Sequence, residues 1–440
     1  MQLSGGNEMG ALIIALLACG AMITLVFAVP SIKIGRHYIS AYWMAPLAGA
    51  LLLILGGFVT PAQVWQGLTA DSDVNPIKIL LLFLSMTLIS VFLDNTGFFG
   101  KLAMSALKRT GGSQYKLLLT LYALVSVLTV FTSNDIIVLT FTPFICYFAK
   151  NARIKALPYL ISEFVAANTW SMALVIGNPT NIYLAGAAQI GFTEYIRVML
   201  LPTVLGGMAS LMVLLLIFRR QLGEKICPRE CPEVRTDKPL MIMALVHLSL
   251  CIVMMTVSSY VELPMWIIAV LFFLSLYLLA LCYLLVNRRP ITPVYQALKR
   301  APFEIIPFIL SMFVIVLALQ QAGMTEKAAH LLQGGNAVWK YGISSFLTCN
   351  VVNNIPMSVL FAAIIEPLNG AVRTQALYAA VAGSNLGAFL TPIGALAGIM
   401  WMGLLKNHDV KLSFGKFVMY CAPVSAAALA ATLWGLTLVL

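Results

Sequence analysis

Apolar residues occur in long stretches that follow one another from residue 10 to residue 440. A helix of about 20 apolar residues is long enough to cross the roughly 30 Å hydrocarbon core of a bilayer. The pattern therefore predicts an all-α polytopic membrane protein with about 10 transmembrane helices. It leaves no polar segment long enough to form a soluble domain.

A polar interruption stands inside one of these stretches, at residues 129–138, which read TVFTSNDIIV. As one helix, residues 117–150 would be about 50 Å long, too long for one crossing, while each half is short of a full crossing. We therefore predict a re-entrant hairpin over 117–150, with Ser133, Asn134 and Asp135 at its tip. Non-helical backbone at membrane depth is tolerated only where protein or water surrounds it, so the tip predicts an internal site.

The second half of the chain repeats the order of features found in the first. Residues 83–103 align without a gap on residues 309–329, and later segments pair at offsets between about 213 and 222 residues. Together with the loop charges described below, this predicts an inverted repeat, with 1–218 as the first unit and 239–440 as the second, joined by the linker 219–238. Inverted repeats bind substrate near the midplane, at the interface of the two units.

Two further spans are predicted to be broken helices. Residues 156–186 contain IGNPTNI, and residues 374–405 contain LTPIGALAG. Because Pro removes a helix donor and Gly loosens the backbone, each span should consist of two half-helices around an unwound segment.

A second hairpin is predicted at 341–366. Helix ends carry unpaired N–H and C=O groups, so the two tips and the two breaks predict a polar cage. Its side chains would come from Ser133, Asn134, Asp135, Asn178, Thr180, Asn181, Asn353, Asn354 and Thr391.

The net charge of +11 is distributed in a way that indicates a membrane rather than a nucleic acid as the partner. Of the 27 Lys and Arg residues, 22 lie in alternate connections between spans. Short loops rich in Lys and Arg stay on the cytoplasmic side, so these connections, including the linker, are predicted to be cytoplasmic and the N-terminus outside. The connections are residues 30–41, 99–116, 150–155, 219–238, 287–302 and 406–416.

Three acidic residues lie at apolar positions. Asp135 is predicted to couple transport to an ion, because an intramembrane carboxylate is a functional candidate by default. Asp94 and Glu163 are expected near the cytoplasmic ends of their spans, where a side chain can reach water.

Most of the eight cysteines are expected to act as small apolar residues. A ligand role is conceivable for Cys349, which precedes the second hairpin tip. The pair in CPREC, Cys227 and Cys231, has no nearby His or second Cys pair, so no zinc site is predicted there.

The stretches FTSNDIIVLTFTPFI, NVVNNIPMSVL and GSNLGAFLTPIGALAGIMWM resemble those of bacterial arsenite-efflux permeases. More broadly they resemble the ion transporter superfamily, which also holds citrate-type, dicarboxylate and sodium/proton carriers. The resemblance runs from about residue 60 to residue 440. It implies that both hairpin tips and both unwound segments hold substrate and coupling ion, which adds Gly177, Pro179, Pro392 and Gly394 to the candidate site.

These features predict a secondary active transporter and not an enzyme, because no Walker loop, Ser/His/Asp arrangement or HExxH motif occurs. The favoured function is proton-coupled efflux of arsenite or antimonite by alternating access in the cell membrane. Neutral As(OH)3 needs hydroxyl partners, which Asn134, Thr180 and Asn354 can supply. The alternatives are sodium-coupled uptake of a dicarboxylate or citrate-type anion, and sodium/proton antiport. No cofactor beyond the coupling proton or sodium is expected. The sequence does not decide whether the protein forms a homodimer or works with a soluble ATPase partner.

Overall fold

The computed structural model confirms the predicted all-helical membrane class. Within the residues that the structure describes, the departure from helix is a pair of short antiparallel strands, β1 (Ser31–Ile34) and β2 (His37–Ser40), with Ser31 opposite Ser40. The structure describes residues 5–28, 31–34, 37–70, 75–108, 112–224 and 235–440. The linker 219–238 is therefore described only in part, and Cys227 and Cys231 lie outside the described residues.

The first half of the chain forms ten helices within the described residues. They are α1 Gly5–Ala28, α2 Met44–Leu55, α3 Pro61–Thr69, α4 Pro76–Asn95, α5 Phe98–Lys108, α6 Gln114–Phe131, α7 Asn134–Ala152, α8 Leu157–Trp170, α9 Pro179–Ala187 and α10 Phe192–Leu222. Two single 3-10 turns, at Ser171–Ala173 and Val175–Gly177, stand between α8 and α9.

The second half is helical in the same manner. Its helices are α11 Lys238–Thr256, α12 Ser258–Val261, α13 Met265–Val286, α14 Thr292–Lys299, α15 Ile305–Gln321, α16 Met324–Leu332, α17 Ala337–Val352, α18 Asn354–Ile365, α19 Gly370–Gly387, α20 Leu396–Asn407 and α21 Phe414–Val439. A non-helical segment, residues 388–395, separates α19 from α20.

Short polar side chains fix where several helices begin. The Asn75 carboxamide oxygen accepts from the Ile77 amide at 2.8 Å, and Pro76 occupies the first position of α4, where its missing N–H costs nothing. The Ser113 hydroxyl accepts from the Lys116 amide at the start of α6. Such caps satisfy backbone N–H groups that the helix itself leaves free.

Six helices of the described chain are long and apolar enough to cross a membrane: α4, α6, α10, α11, α13 and α21. The pair α15 and α16, bent by 78°, would make a seventh. The halves α8, α9, α18 and α20 are each shorter than a full crossing. The figure of about ten spans, the re-entrant course of the hairpins and the inverted orientation of the two halves therefore stay predictions.

Two helices form the centre of the molecule. Residues 158–169 of α8 and residues 376–387 of α19 are buried on every side. A helix that is buried all round lies inside a bundle. By contrast α10 and α13 expose large apolar side chains, such as Leu278 at 62%, on the surface that lipid would cover.

Close packing of small residues brings α17 and α19 together. A Cβ atom on Gly383 would lie 2.5 Å from the carbonyl oxygen of Gly342 and closer still to the Ser345 hydroxyl. Small residues let helix backbones approach in this way within membranes, where packing and polar contacts drive association. The pair holds the second predicted hairpin against the second broken segment.

Candidate functional site

The tip of the first predicted hairpin is an extended two-residue break between α6 and α7. Thr132 and Ser133 have extended backbone, and Asn134 begins α7. The Asn134 side chain reaches α8, where its Nδ2 donates to the Asn168 Oδ1 at 3.1 Å. The Asn134 Oδ1 and the Ser133 Oγ are buried and accept or donate no hydrogen bond among the described residues. The tip therefore combines a fixed amide with two unpaired polar atoms.

Asp135 does not join the amide contacts of its neighbours. It is half-buried in the first turn of α7, and its carboxylate makes no hydrogen bond or ion pair with a described residue. The partial positive charge at a helix N-terminus favours a carboxylate at this position. Asp135 is thus placed where its charge is supported by the helix and by no cation.

The first broken helix is held open by Asn181 and by a glycine. Asn181 donates from its Nδ2 to the carbonyls of Ser171 at 2.8 Å and Leu174 at 3.0 Å. These carbonyls belong to the interrupted turns, so the amide satisfies acceptors that a continuous helix would have paired. Gly177 is required because a Cβ there would lie 2.2 Å from the Ser171 oxygen.

The second half-helix of this break starts at Pro179, with Asn178 as its cap. The Asn178 Oδ1 accepts from the Thr180 amide at 3.2 Å. Pro at the first helical position has no N–H to leave unpaired. The Thr180 hydroxyl is buried and has no hydrogen-bond partner within the described chain.

Asn385 connects the two halves of the protein at this break. It lies on α19 and is fully buried. Its Oδ1 accepts from the Ser171 hydroxyl at 2.9 Å and from the Asn178 Nδ2 at 3.0 Å. Its Nδ2 donates to the Asn181 Oδ1 at 2.7 Å. One amide of the second half therefore fixes three polar residues of the first.

The second hairpin tip contacts the second break directly. Asn353 stands between α17 and α18 with φ of 78°, and its Nδ2 donates to the Ile393 carbonyl at 3.0 Å. The Asn354 backbone N–H donates to the Gly394 carbonyl at 3.0 Å, while its Oδ1 is buried without a partner among the described residues. With ψ of 157°, Asn353 has a backbone conformation that side-chain-bearing residues rarely adopt, so the tip is locally strained.

A neighbouring amide, Asn350, holds the unwound segment in place. Its Oδ1 accepts from the Thr391 hydroxyl at 2.7 Å and from the Thr391 amide at 3.2 Å. Its Nδ2 donates to the carbonyl of Gly387, the last residue of α19, at 3.0 Å. The same segment contains Pro392, whose carbonyl packs against Gly398 in α20.

The candidate residues thus form contacts within each half and, through Asn385, between the halves. Four amide or hydroxyl residues that sequence reasoning missed complete the arrangement: Asn168, Ser171, Asn350 and Asn385. One signal was available for two of them. Asn168 and Asn385 are 217 residues apart, inside the range of offsets that relates the two repeats.

The expectation that Glu163 reaches water was wrong. Glu163 lies in the middle of α8, and its side chain is 0% exposed. Its helix is surrounded on every side, so no route outward is short enough for the side chain to follow. Asp94 lies near the end of α4 and pairs with Arg300 at 2.6 Å, with the carboxylate 9% and the guanidinium 47% exposed.

The Cys349 sulfur lies beside Asn350, whose Nδ2 donates to it at 3.3 Å. Cys349 is fully buried, and its Sγ donates to the Phe346 carbonyl at 3.2 Å. Its sulfur lies against Gly387, where a Cβ atom would approach it to 2.3 Å. In the described part of the chain, no group of three or more His, Cys, Asp or Glu could hold a metal ion.

This chain matches a known protein family. The citrate transporter family, CitMHS, matches residues 13–381, which is most of the chain. The chain belongs to this family. The resemblance noted from the hairpin and break motifs is thereby confirmed at the level of the ion transporter superfamily.

The chain is also similar to proteins named as arsenical pump membrane proteins. The "Arsenical pump membrane protein" of Escherichia coli (strain K12) is 28% identical over 418 residues, covering 88% of this chain and 92% of the relative. The "Putative arsenical pump membrane protein" of Bacillus subtilis (strain 168) is 25% identical over 402 residues, covering 84% of this chain and 88% of the relative. These relatives are membrane transport proteins, which supports the expectation of a transporter and not an enzyme.

Solved structures support the fold. The Alcanivorax borkumensis YdaH transporter aligns with a TM-score of 0.57 at 13% identity, over 98% of each chain. Neisseria gonorrhoeae MtrF, described as illuminating a class of antimetabolite efflux pumps, aligns with a TM-score of 0.54 at 15% identity, over 98% of this chain and 94% of its own. At this identity the similarity concerns the architecture, which is that of membrane transporters.

Proposed function

We propose that this protein is a secondary active transporter that exports arsenite or antimonite in exchange for protons. The substrate would bind between the two hairpin tips and the two broken segments, and alternating access would expose that site to each side of the membrane in turn. Family membership supports a membrane transporter, and the substrate is the part that we propose, because the family is named for citrate whereas the relatives described above are named as arsenical pump proteins.

The observation that carries the proposal is the set of buried oxygen atoms with no donor. The Asn134 Oδ1 and the Asn354 Oδ1 stand at equivalent positions, each on the first residue of the helix after a hairpin tip. Amide oxygens accept hydrogen bonds and cannot donate them. As(OH)3 offers three hydroxyl donors, whereas an ionised dicarboxylate offers acceptors alone and citrate adds one hydroxyl donor to its carboxylates. The unpaired atoms therefore match a neutral hydroxyl compound better than a carboxylate.

The charges around the cage favour the same substrate. Among the described residues, no Lys or Arg side chain hydrogen-bonds to any of the candidate amides or hydroxyls. Arg373, on α19, donates instead to the Ala187 carbonyl at 3.2 Å, at the far end of α9 from Asn178. A buried polyanion needs paired charge or several strong donors, which these amides do not supply.

Sodium-coupled transport of a citrate-type anion is the second candidate. Family membership favours it, and unpaired carboxamide oxygens are also suitable ligands for a hard cation such as sodium. In that case Asn134 and Asn354 would hold the cation, and the helix N-termini would hold the carboxylates. Sodium/proton antiport without an organic substrate would use Asp135 for both ions.

Asp135 is the residue that we assign to proton coupling. Among the described residues it has no cationic partner, and it follows Asn134, whose Oδ1 is unpaired in the same part of the chain. A carboxylate in such a position is costly to keep charged while the site is closed from water, so proton binding and site closure are linked. The proton is released on the side where arsenite binds, and a new proton binds on the side where arsenite is released, which gives antiport.

Arsenite accumulation in inverted membrane vesicles tests this assignment. With an imposed pH gradient, the wild-type protein should accumulate arsenite. It should not accumulate citrate, and a sodium gradient in place of the pH gradient should not drive arsenite accumulation. The isosteric variant Asp135→Asn should fold but lose gradient-driven accumulation, because it is permanently neutral. Asp94→Asn is the matched control, since its carboxylate pairs with Arg300 at the end of α4, and it should accumulate arsenite normally. Full accumulation by Asp135→Asn would refute the assignment, and citrate accumulation by the wild type would favour the second candidate.

A further inference from the structure

A second carboxyl group lies buried at the centre of the bundle and takes no part in the cage. Glu163 is in α8, is 0% exposed, and makes no ion pair with any described residue. An ionised carboxylate without a partner is very costly in a medium of low polarity. The group therefore needs either a permanent proton or a route by which a proton can come and go.

Its hydrogen-bond partner is a hydroxyl shared with a second helix. The Thr142 Oγ1 on α7 lies 3.1 Å from both carboxyl oxygens of Glu163. The same Oγ1 accepts from the Trp401 indole N–H on α20 at 3.0 Å. Since the indole can only donate, the Thr142 proton is directed to Glu163. One hydroxyl thus connects the predicted hairpin, α8 and the second half of the other broken helix.

Aromatic rings pack around the Trp401 side of this cluster. Trp401 stacks on Phe164 with ring centroids 4.7 Å apart, and Phe417 lies edge-on to both rings. All three rings are fully buried. A polar group enclosed in this way interacts strongly with the few polar atoms that it touches.

The Cys146 thiol lies one helical turn beyond Thr142 on α7 and within electrostatic range of the Glu163 carboxylate. The charged residues on the helices packed against α8 lie towards helix ends and do not pair with Glu163. They are Lys116 on α6, Asp135 and Lys150 on α7, Glu194, Arg197, Arg219 and Arg220 on α10, Arg373 on α19, Lys406 on α20 and Lys416 on α21.

A cavity of about 460 Å³ lies between α7 and the end of α20, and its lining on α7 begins at Pro143, the residue after Thr142. Cys146 lines it on one side, and Lys150, His408 and Asp409 line its mouth. A cavity of this size with polar groups can hold several water molecules. By the loop charges, its mouth is on the predicted cytoplasmic side.

We infer that Glu163 is a second proton-binding site of the transport cycle, filled and emptied through the cavity lined by Cys146, His408 and Asp409. The step is a protonation in which a proton from water binds one carboxylate oxygen and no other bond changes. The carboxyl is neutral while the cluster is closed, and it ionises when water from the cavity reaches it. Because the Trp401 indole donates to the same Thr142 hydroxyl that bonds to Glu163, the charge on Glu163 acts through Thr142 on the position of α20 against α7.

This inference rests on the proposed proton coupling, yet it can be tested separately. Infrared difference spectra of the purified protein in lipid, recorded as the pH changes, report the carbonyl stretch of a protonated carboxyl. We expect one such band to disappear in Glu163→Gln. In Thr142→Val the band should shift, because the carboxyl loses its hydrogen-bond partner. Thr140→Val is the matched control, since its hydroxyl is buried on the same helix without a partner, and it should leave the band unchanged.

Transport supplies the second readout. Glu163→Gln should lose arsenite accumulation driven by a pH gradient but retain exchange of labelled for unlabelled arsenite at equal pH, since exchange needs no net proton movement. An unchanged infrared titration and unchanged gradient-driven accumulation in Glu163→Gln would overturn the inference. If Glu163→Gln does not fold, a Thr142→Val spectrum identical to the wild type would overturn it. Absence of proton-driven transport in the wild type would instead refute the proposed function, and the infrared result would still decide whether Glu163 titrates.

Discussion

Replacing Asn385 by Leu, which has a similar volume, should destabilise the protein and abolish transport. The change removes the amide that joins the two halves at the first break. The Ser171 hydroxyl keeps a second contact, to the Asn168 carbonyl at 2.9 Å. The Asn178 Nδ2 loses its acceptor, the Asn385 Oδ1, and the Asn181 Oδ1 loses its donor, the Asn385 Nδ2. Two buried polar groups are therefore left without partners.

The expected cost can be worked out from these contacts. Leaving a buried polar group unpaired costs about 1–3 kcal/mol in soluble proteins. Polar contacts between membrane helices average about 0.6 kcal/mol and reach about 1.7, because the unfolded chain in the membrane also finds partners. At about 1–2 kcal/mol for each orphaned group, Asn385→Leu should lower the free energy of unfolding by about 2–4 kcal/mol.

Unfolding in mixed micelles with increasing dodecyl sulfate measures this quantity, and arsenite transport in vesicles measures the consequence. Ser162→Ala serves as the control, because the Ser162 hydroxyl is equally buried but bonds only within its own helix, to the Pro158 carbonyl. It should change the unfolding free energy by less than about 1 kcal/mol. An Asn385→Leu protein that is as stable as the wild type and transports normally would refute the idea that this amide holds the site together.

Two further predictions concern backbone packing and a surface ion pair. Gly177→Ala should lower the free energy of unfolding by about 1–3 kcal/mol and abolish transport, because the new Cβ would lie 2.2 Å from the Ser171 carbonyl oxygen. The control is Gly403→Ala, whose new Cβ would have no atom within 4 Å. It should behave like the wild type in the same unfolding and transport assays. Arg300→Ala should lower stability by no more than about 1 kcal/mol, and less at high salt, since the guanidinium is 47% exposed; a larger loss measured by unfolding would show that the pair with Asp94 is structural.

The positions of the helix breaks could be predicted because they depend on local chemistry. Gly177 and Pro179, on either side of the capping residue Asn178, favour the end of one helix and the start of the next, and the polar run at Ser133 and Asn134 favours a break at membrane depth. The structure places the start of α7 at Asn134 and the start of α9 at Pro179. These signals need only neighbouring residues to be understood.

The partners across the bundle could not be predicted in the same way. Asn385 lies in an otherwise ordinary apolar helix, and its contacts to Ser171 and Asn181 span more than 200 residues of sequence. Such pairings depend on which helices are neighbours, and an isolated polar residue does not reveal that. The misplacement of Glu163 has the same origin, because its depth is set by the helices that surround α8 and not by its distance from a loop.

Proton movement on addition of substrate tests the central claim most directly. Purified protein in sealed vesicles with an imposed pH gradient and an internal pH-sensitive dye would receive arsenite, sodium or citrate in turn. The account predicts that arsenite alone dissipates the gradient and that Asp135→Asn does not respond to it. Dissipation by sodium or citrate, with no response to arsenite, would contradict proton-coupled efflux of a neutral hydroxyl compound.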